Sequence, residues 1–109
     1  MKKYLHDIQE SAKHIAEFTA GKTFADYLQN LMLRSAVERK FEIIGEALVQ
    51  LAKADPAIVA QIDEHRRIIA FRNILVHRYH DVDDQLVWGI VEGKLGVLRR
   101  DVDVLLNEQ

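Results

Sequence analysis

Arg72, Asn73, His77 and Tyr79 lie within a stretch of eight residues, Arg72-Asn73-Ile74-Leu75-Val76-His77-Arg78-Tyr79. A guanidinium stays charged and can grip two phosphate oxygens through its planar fork. An imidazole moves protons near neutral pH, and a phenol offers a directed hydroxyl. Together these groups suffice for metal-free chemistry on a phosphodiester. Cleaving RNA that way needs a base for the 2′-hydroxyl proton, an acid for the leaving 5′-oxygen and a cation beside the phosphorane. Asn73 stands four residues before His77, on the same helical face, where it can orient the ring. Singly, each residue has an ordinary structural reading: a solvated arginine, a histidine suited to a helix C-terminus, a tyrosine packed on the end of a bundle. Their crowding into one octapeptide favours function.

Helix geometry puts this grouping under tension. Arg72 and His77, five residues apart, diverge by about 140° on an ideal helix, whereas Arg72 and Tyr79 nearly coincide. Either the helix unwinds near His77 or the site is completed across a two-fold dimer, where one subunit's histidine faces the other's arginine. One chain offers a single well-placed imidazole and the reaction needs both a base and an acid, so a homodimer is expected.

Composition limits the alternatives. A chain of 109 residues, 49% hydrophobic, is expected to form one helical domain over 1–109. It has no cysteine, which removes disulfides and thiolate chemistry and suits a cytoplasmic setting. No apolar run reaches the roughly 18–20 residues that span a bilayer, and the polar start leaves no signal-peptide core, so a soluble protein without membrane association is expected. A net charge of −2 argues against a general nucleic-acid coat. From His65 to His80, however, Arg66, Arg67, Arg72 and Arg78 occur with three histidines and no acidic residue. This basic island suits a small anionic target better than a long duplex, and no DNA partner is expected. A competing metal site would use His77, His80 and Asp81 with His65, but no two histidines have the His-x3-His spacing that places two imidazoles on one helix face. Neither metal nor cofactor is expected. His6 and His14 lie far from the cluster and receive no role.

Apolar spacing predicts the elements that position these residues. Leu5, Ile8, Ala12 and Ile15 mark a helix over about Lys2 to Thr19, ended by Gly21. From Thr23 a pattern through Phe24, Tyr27, Leu28, Leu31, Val37, Phe41, Ile44, Leu48 and Leu51 predicts a second helix of about 30 residues, with a bend at Gly45. Its length would expose apolar surface at one end of the bundle, a further reason to expect self-association. Asp55-Pro56 reads as the start of a short element over Ala57 to Ile62. A third helix is predicted from about Asp63 to Val76, with Ile68, Phe71 and Leu75 buried. A last one, capped by Asp83 or Asp84, carries Leu86, Ile90, Leu98, Val102 and Leu105. Gly89, Gly93 and Gly96 share a face of it, where either another backbone approaches closely or the helix is a loosely wound surface element. The fold class is all-α, an up-and-down bundle of four main helices plus a short extra one.

Arg72-x4-His77-x-Tyr79, with Asn73 after the arginine, resembles the motif of the HEPN superfamily, specifically its minimal HepT-like branch. Arg39-Lys40-Phe41-Glu42-Ile43-Ile44-Gly45-Glu46-Ala47 resembles the segment that precedes it in that branch, and the likeness extends over nearly the whole chain to the last helix with Val87-Trp88. The resemblance implies a helical, dimeric, metal-independent endoribonuclease. It would be the toxin of a type VII-like toxin–antitoxin pair, acting on RNA and restrained by a minimal nucleotidyltransferase antitoxin. It further implies catalytic roles for Arg72 and His77, support from Asn73, and Tyr79 as both active-site hydroxyl and acceptor of an AMP group from the antitoxin. Glu42 and Glu46, one turn apart, can reach towards Arg72 or His77, and Glu42 is taken as the supporting carboxylate. Alternative readings are a non-catalytic module of the same fold that binds a nucleotide or a protein partner, and a purely structural helical dimer.

Overall fold

The computed structural model describes residues 2–108, and the side chain of Tyr79 lies outside the described residues. Helix α1 (Lys2–Thr19) forms where expected and buries Leu5, Ile8, Ala12 and Ile15. The Thr19 hydroxyl donates to the Ile15 carbonyl at 2.8 Å, and Gly21, at φ 73°, turns the chain through the left-handed region that glycine enters freely.

Beyond Gly21 the predicted 30-residue helix is two helices. A capping box opens α2 (Phe24–Gln29): the Thr23 hydroxyl accepts the Asp26 N–H at 3.1 Å, and the Asp26 carboxylate accepts the Thr23 N–H at 2.9 Å. The backbone bond and then the hydroxyl bond hold the Asp26 carboxyl below its ordinary range. Asn30 takes an extended backbone, and its side-chain oxygen accepts the Leu33 N–H at 3.0 Å to start α3 (Leu31–Ala54). Arg34 donates to the carbonyls of Tyr27 and Leu28, satisfying groups orphaned at the end of α2. Apolar periodicity passes through both helices and conceals this break. Helix α3 runs unbroken through Gly45 to Ala54.

Asp55 caps α4 (Pro56–Val59), accepting the Ile58 N–H at 3.2 Å, with Pro56 in the first turn as expected. Helix α5 (His65–His77) buries Ile68, Phe71 and Leu75. It stops at His77, and a 3-10 turn spans Tyr79–Asp81. Asp83 caps α6 (Asp84–Gly93), Lys94 interrupts the helix, and α7 (Leu95–Glu108) completes the described chain. The last predicted helix is therefore also two. A Cβ added at Gly89, Gly93 or Gly96 would meet nothing within 4 Å. These glycines lie on open surface, and no neighbouring backbone approaches them.

Helix α3 is the axis of the bundle, packed between α1 and α5, with α7 against α1 and α6 against α7. The Cα extents of 40 × 29 × 19 Å make the slab about two helix diameters thick, and α3 and α5 each keep a face near solvent. The all-α expectation holds, with no strand among the described residues. No described helix is long and apolar enough to cross a membrane.

Where α2, α3 and α6 meet, Tyr27 is fully buried against Trp88, with ring centroids 5.3 Å apart. Its hydroxyl has no hydrogen-bond partner among the described residues. Burial, reinforced by Glu38 and Asp84, disfavours the tyrosinate and pushes its pKa up. An unpaired buried hydroxyl costs about 1–3 kcal/mol, a cost absent from phenylalanine of the same shape. Tyr27→Phe is therefore expected to leave the urea midpoint unchanged or raise it. A loss exceeding about 1 kcal/mol would mean that the hydroxyl is satisfied after all.

Candidate active site

The site begins at a contact between backbone and side-chain stem. Gly45 is buried on α3 and faces Arg72 on α5. A Cβ added at Gly45 would sit 2.5 Å from Arg72 Cγ and closer still to its Cβ. Only glycine leaves room for the arginine stem to lie across α3. Of the two readings open for the glycines in α6 and α7, exposed surface is the observed one, and the close approach occurs at Gly45.

Arg72 is thereby aimed along α3. Its Nη2 donates to Glu46 Oε2 at 2.5 Å, and its Nη1 donates to Asn73 Oδ1 at 2.9 Å. Gln50 Nε2 donates to Glu46 Oε1 at 2.9 Å, so the carboxylate is tied at both oxygens. The Gln50 bond first, then the Arg72 charge and hydrogen bond, hold the Glu46 carboxyl below its ordinary range. Arg72 keeps 21% of its side-chain surface and Glu46 keeps 47%. A pair this exposed contributes at most about 1 kcal/mol, so its main effect is on the direction of the guanidinium. Arg72 Nε is buried without a partner among the described residues, which leaves the guanidinium short of acceptors. The group borders a cleft of about 280 Å³ walled by Tyr4 and Asp7 of α1, Ile43 and Ala47 of α3 and Val76 of α5.

The other sequence-predicted residues are placed as follows. Glu42 lines the same cleft but bonds Arg39, Nη1 to Oε2 at 3.4 Å; the carboxylate that meets Arg72 is Glu46. Asn73 bonds Arg72, and among the described residues nothing hydrogen-bonds the His77 ring. His77 is the exposed last residue of α5. The helix does stop there, but only after the five-residue offset from Arg72 has been wound in full. The expectation for Tyr79 concerns a side chain outside the described residues; its backbone opens the 3-10 turn, which Arg78 ties down through its Nε bond to Asp81 at 3.0 Å. Metal ligation by His65, His77, His80 and Asp81 finds no gathered set, since no group of three or more such side chains occurs among the described residues. His65 has its own ring contact, 2.7 Å from the Ile62 carbonyl.

Folding also changes the basic island. Carboxylates from outside the segment meet three of its four arginines: Glu64 at Arg67, Glu46 at Arg72 and Asp81 at Arg78. Arg66 meets none among the described residues. Reading the chain segment by segment missed Gly45 as a packing device and, of the two carboxylates offered for Arg72, took Glu42 rather than Glu46. The signal available was their adjacency in the Arg39–Ala47 segment.

A family model described as Ribonuclease HepT-like matches residues 8–105. The chain belongs to the HepT-like ribonuclease family. It is 32% identical to a Methanocaldococcus jannaschii protein named "Putative RNase", over 96% of this chain and 95% of the relative. It is 34% identical to a Thermococcus cleftensis protein named "Probable ribonuclease HepT", over 90% and 88% of the two chains. A second M. jannaschii protein, named "Gamma-glutamylcyclotransferase and putative RNase", is 32% identical over 99% of this chain but only 48% of its own length. No solved structure matches. The resemblance read from Arg72-x4-His77-x-Tyr79 and the Arg39–Ala47 segment is therefore correct at the level of family.

Two glycines test the Arg72 contact. At an open helical position alanine gains roughly 1 kcal/mol over glycine, and Gly89→Ala should show part of that gain. Gly45→Ala should instead lose about 1–3 kcal/mol in urea denaturation, because α3 and α5 must part to admit the methyl. An equal gain at both positions would rule out the close approach. The Glu46 pair adds a pH signature. Because folding lowers the Glu46 pKa, its contribution is present above the ordinary glutamate range and is lost as pH falls through the lowered value. The stability gap between wild type and Glu46→Gln should close in acid.

Proposed function

We propose that this chain is a metal-independent endoribonuclease that works as a homodimer, and that it is the toxin of a toxin–antitoxin pair. The observation that carries this reading is the aimed Arg72, held at a cleft by Gly45, Glu46 and Asn73 and followed five residues later by an exposed His77, in a chain of this family. In the proposed reaction an imidazole accepts the proton of the RNA 2′-hydroxyl. The freed oxygen attacks phosphorus, the bond to the 5′-oxygen breaks, and a second imidazole protonates the leaving oxygen. The products are a 2′,3′-cyclic phosphate and a 5′-hydroxyl. Arg72 neutralises the phosphorane.

The same geometry supports a dimer. On α5, Arg72 and His77 still point about 140° apart, so one protomer cannot close both on a single phosphate. A two-fold pairing supplies His77 of the partner subunit as the second imidazole. Phe18, Leu28, Leu31 and Met32 leave apolar surface open near the α2–α3 junction, consistent with self-association. Tyr79 follows the catalytic helix directly. An AMP group transferred to its hydroxyl by a nucleotidyltransferase antitoxin would add a bulky anion to the motif and oppose RNA phosphate.

His77→Ala and Arg72→Ala are each expected to reduce RNA cleavage by at least 100-fold with an unchanged helical spectrum. Wild-type cleavage should survive excess chelator and leave cyclic-phosphate ends; full activity in His77→Ala would end this mechanism. For the antitoxin, intact mass after co-expression with the neighbouring nucleotidyltransferase should rise in steps of one AMP. Those steps should vanish in Tyr79→Phe, and their persistence would move the acceptor elsewhere.

A further inference from the structure

The exposed face of α5 carries a second alignment. At about 100° per residue, Arg66, Ala70, Asn73 and His77 fall within an arc of about 60°, opposite the buried Ile68, Phe71 and Leu75. All four are exposed. Arg72 lies off this stripe towards α3, and Asn73 joins the two faces through its bond from Arg72 Nη1. Arg66 is also the arginine of the 65–80 stretch that meets no carboxylate among the described residues. The stripe therefore runs from an unneutralised cation to the exposed imidazole, with a polar amide and one small residue between and no acidic side chain along it.

We infer that this stripe is the path of the single-stranded RNA, with Arg66 holding a phosphate beyond the one that is cleaved. The inference rests on the ribonuclease reading above. Eleven residues separate Arg66 from His77, a rise of about 16 Å along the axis, which spans a few nucleotides of an extended strand. Ala70 leaves a shallow step where a longer side chain would lift the strand off the helix. Arg67 shares Glu64 with Lys94 and Arg78 is paired with Asp81, both off the stripe, so on the stripe itself Arg66 provides the cation. A substrate of two nucleotides stops short of Arg66; one of about six or more reaches it.

The test is binding of a 2′-O-methyl oligonucleotide, whose blocked nucleophile prevents cleavage, followed by fluorescence anisotropy across a salt series. Arg66→Ala should bind the eight-nucleotide probe about tenfold more weakly, with the slope of log affinity against log salt reduced by about 0.7, as expected for one lost phosphate contact on a single strand. Most of the affinity gained on lengthening the probe from two to eight nucleotides should disappear in this variant. Arg66→Lys should restore the slope, and Arg100→Ala, an exposed arginine on α7, should change neither quantity. Unchanged affinity and slope in Arg66→Ala would overturn the inference. So would tighter binding of a polyglutamate of equal length that the same substitution abolishes, which would assign the stripe to an acidic protein. The two readings fail separately. Intact cleavage of unmodified RNA with no Arg66 effect removes the path alone, and Arg66-dependent binding without cleavage removes the ribonuclease alone.

Discussion

The structure depends on the contact in which Gly45 of α3 receives the stem of Arg72 from α5. The two central helices can approach there because one of them has no side chain. Burying the stem supplies apolar contact, and the same geometry projects the charged end to the cleft, where Glu46 and Asn73 fix its direction. One residue serves packing and, on the proposed mechanism, chemistry. The ion pair contributes little energy at this exposure, but it restricts a long flexible side chain to one orientation, and orientation is what a phosphate-binding group requires.

Electrostatics across the site follow from where the carboxylates originate. In sequence the stretch from His65 to His80 is wholly without acid; in space Glu64, Glu46 and Asp81 close on three of its arginines. A strong diffuse field would attract any polyanion, whereas paired arginines with defined open positions respond to an anion that fits. The contrast with a long basic surface agrees with the net charge of −2.

Much of this was legible from one-dimensional pattern. The range of α1, the Asp55-Pro56 start, the buried face of α5 and the all-α class all follow from local periodicity and caps, which a sequence displays directly. The breaks at Asn30 and Lys94 were not legible, because apolar spacing continues across both and only the capping bonds of Asn30 and Arg34 reveal the first. The glycines of α6 and α7 looked like a contact surface, yet no neighbour faces them, while Gly45 looked like a bend and is a contact. A glycine announces freedom of approach; which element uses that freedom is decided by tertiary packing. Arg72 and His77 could be named from type and spacing, but the choice of Glu46 over Glu42 required knowing where α5 crosses α3.

The asymmetry between Arg72 and His77 bears on how such a chain can lose its activity over time. Arg72 lays its stem against Gly45 of α3, so on the proposed mechanism replacing it removes packing contact as well as chemistry while the helices themselves remain. His77 stands in solvent at the end of α5, and among the described residues nothing leans on its ring. If Arg72 and His77 act as proposed, a lineage under pressure to silence the enzyme disturbs the fold less by changing His77 than by changing Arg72. Descendants that keep the fold after abandoning catalysis would be expected to retain the arginine and let the histidine drift.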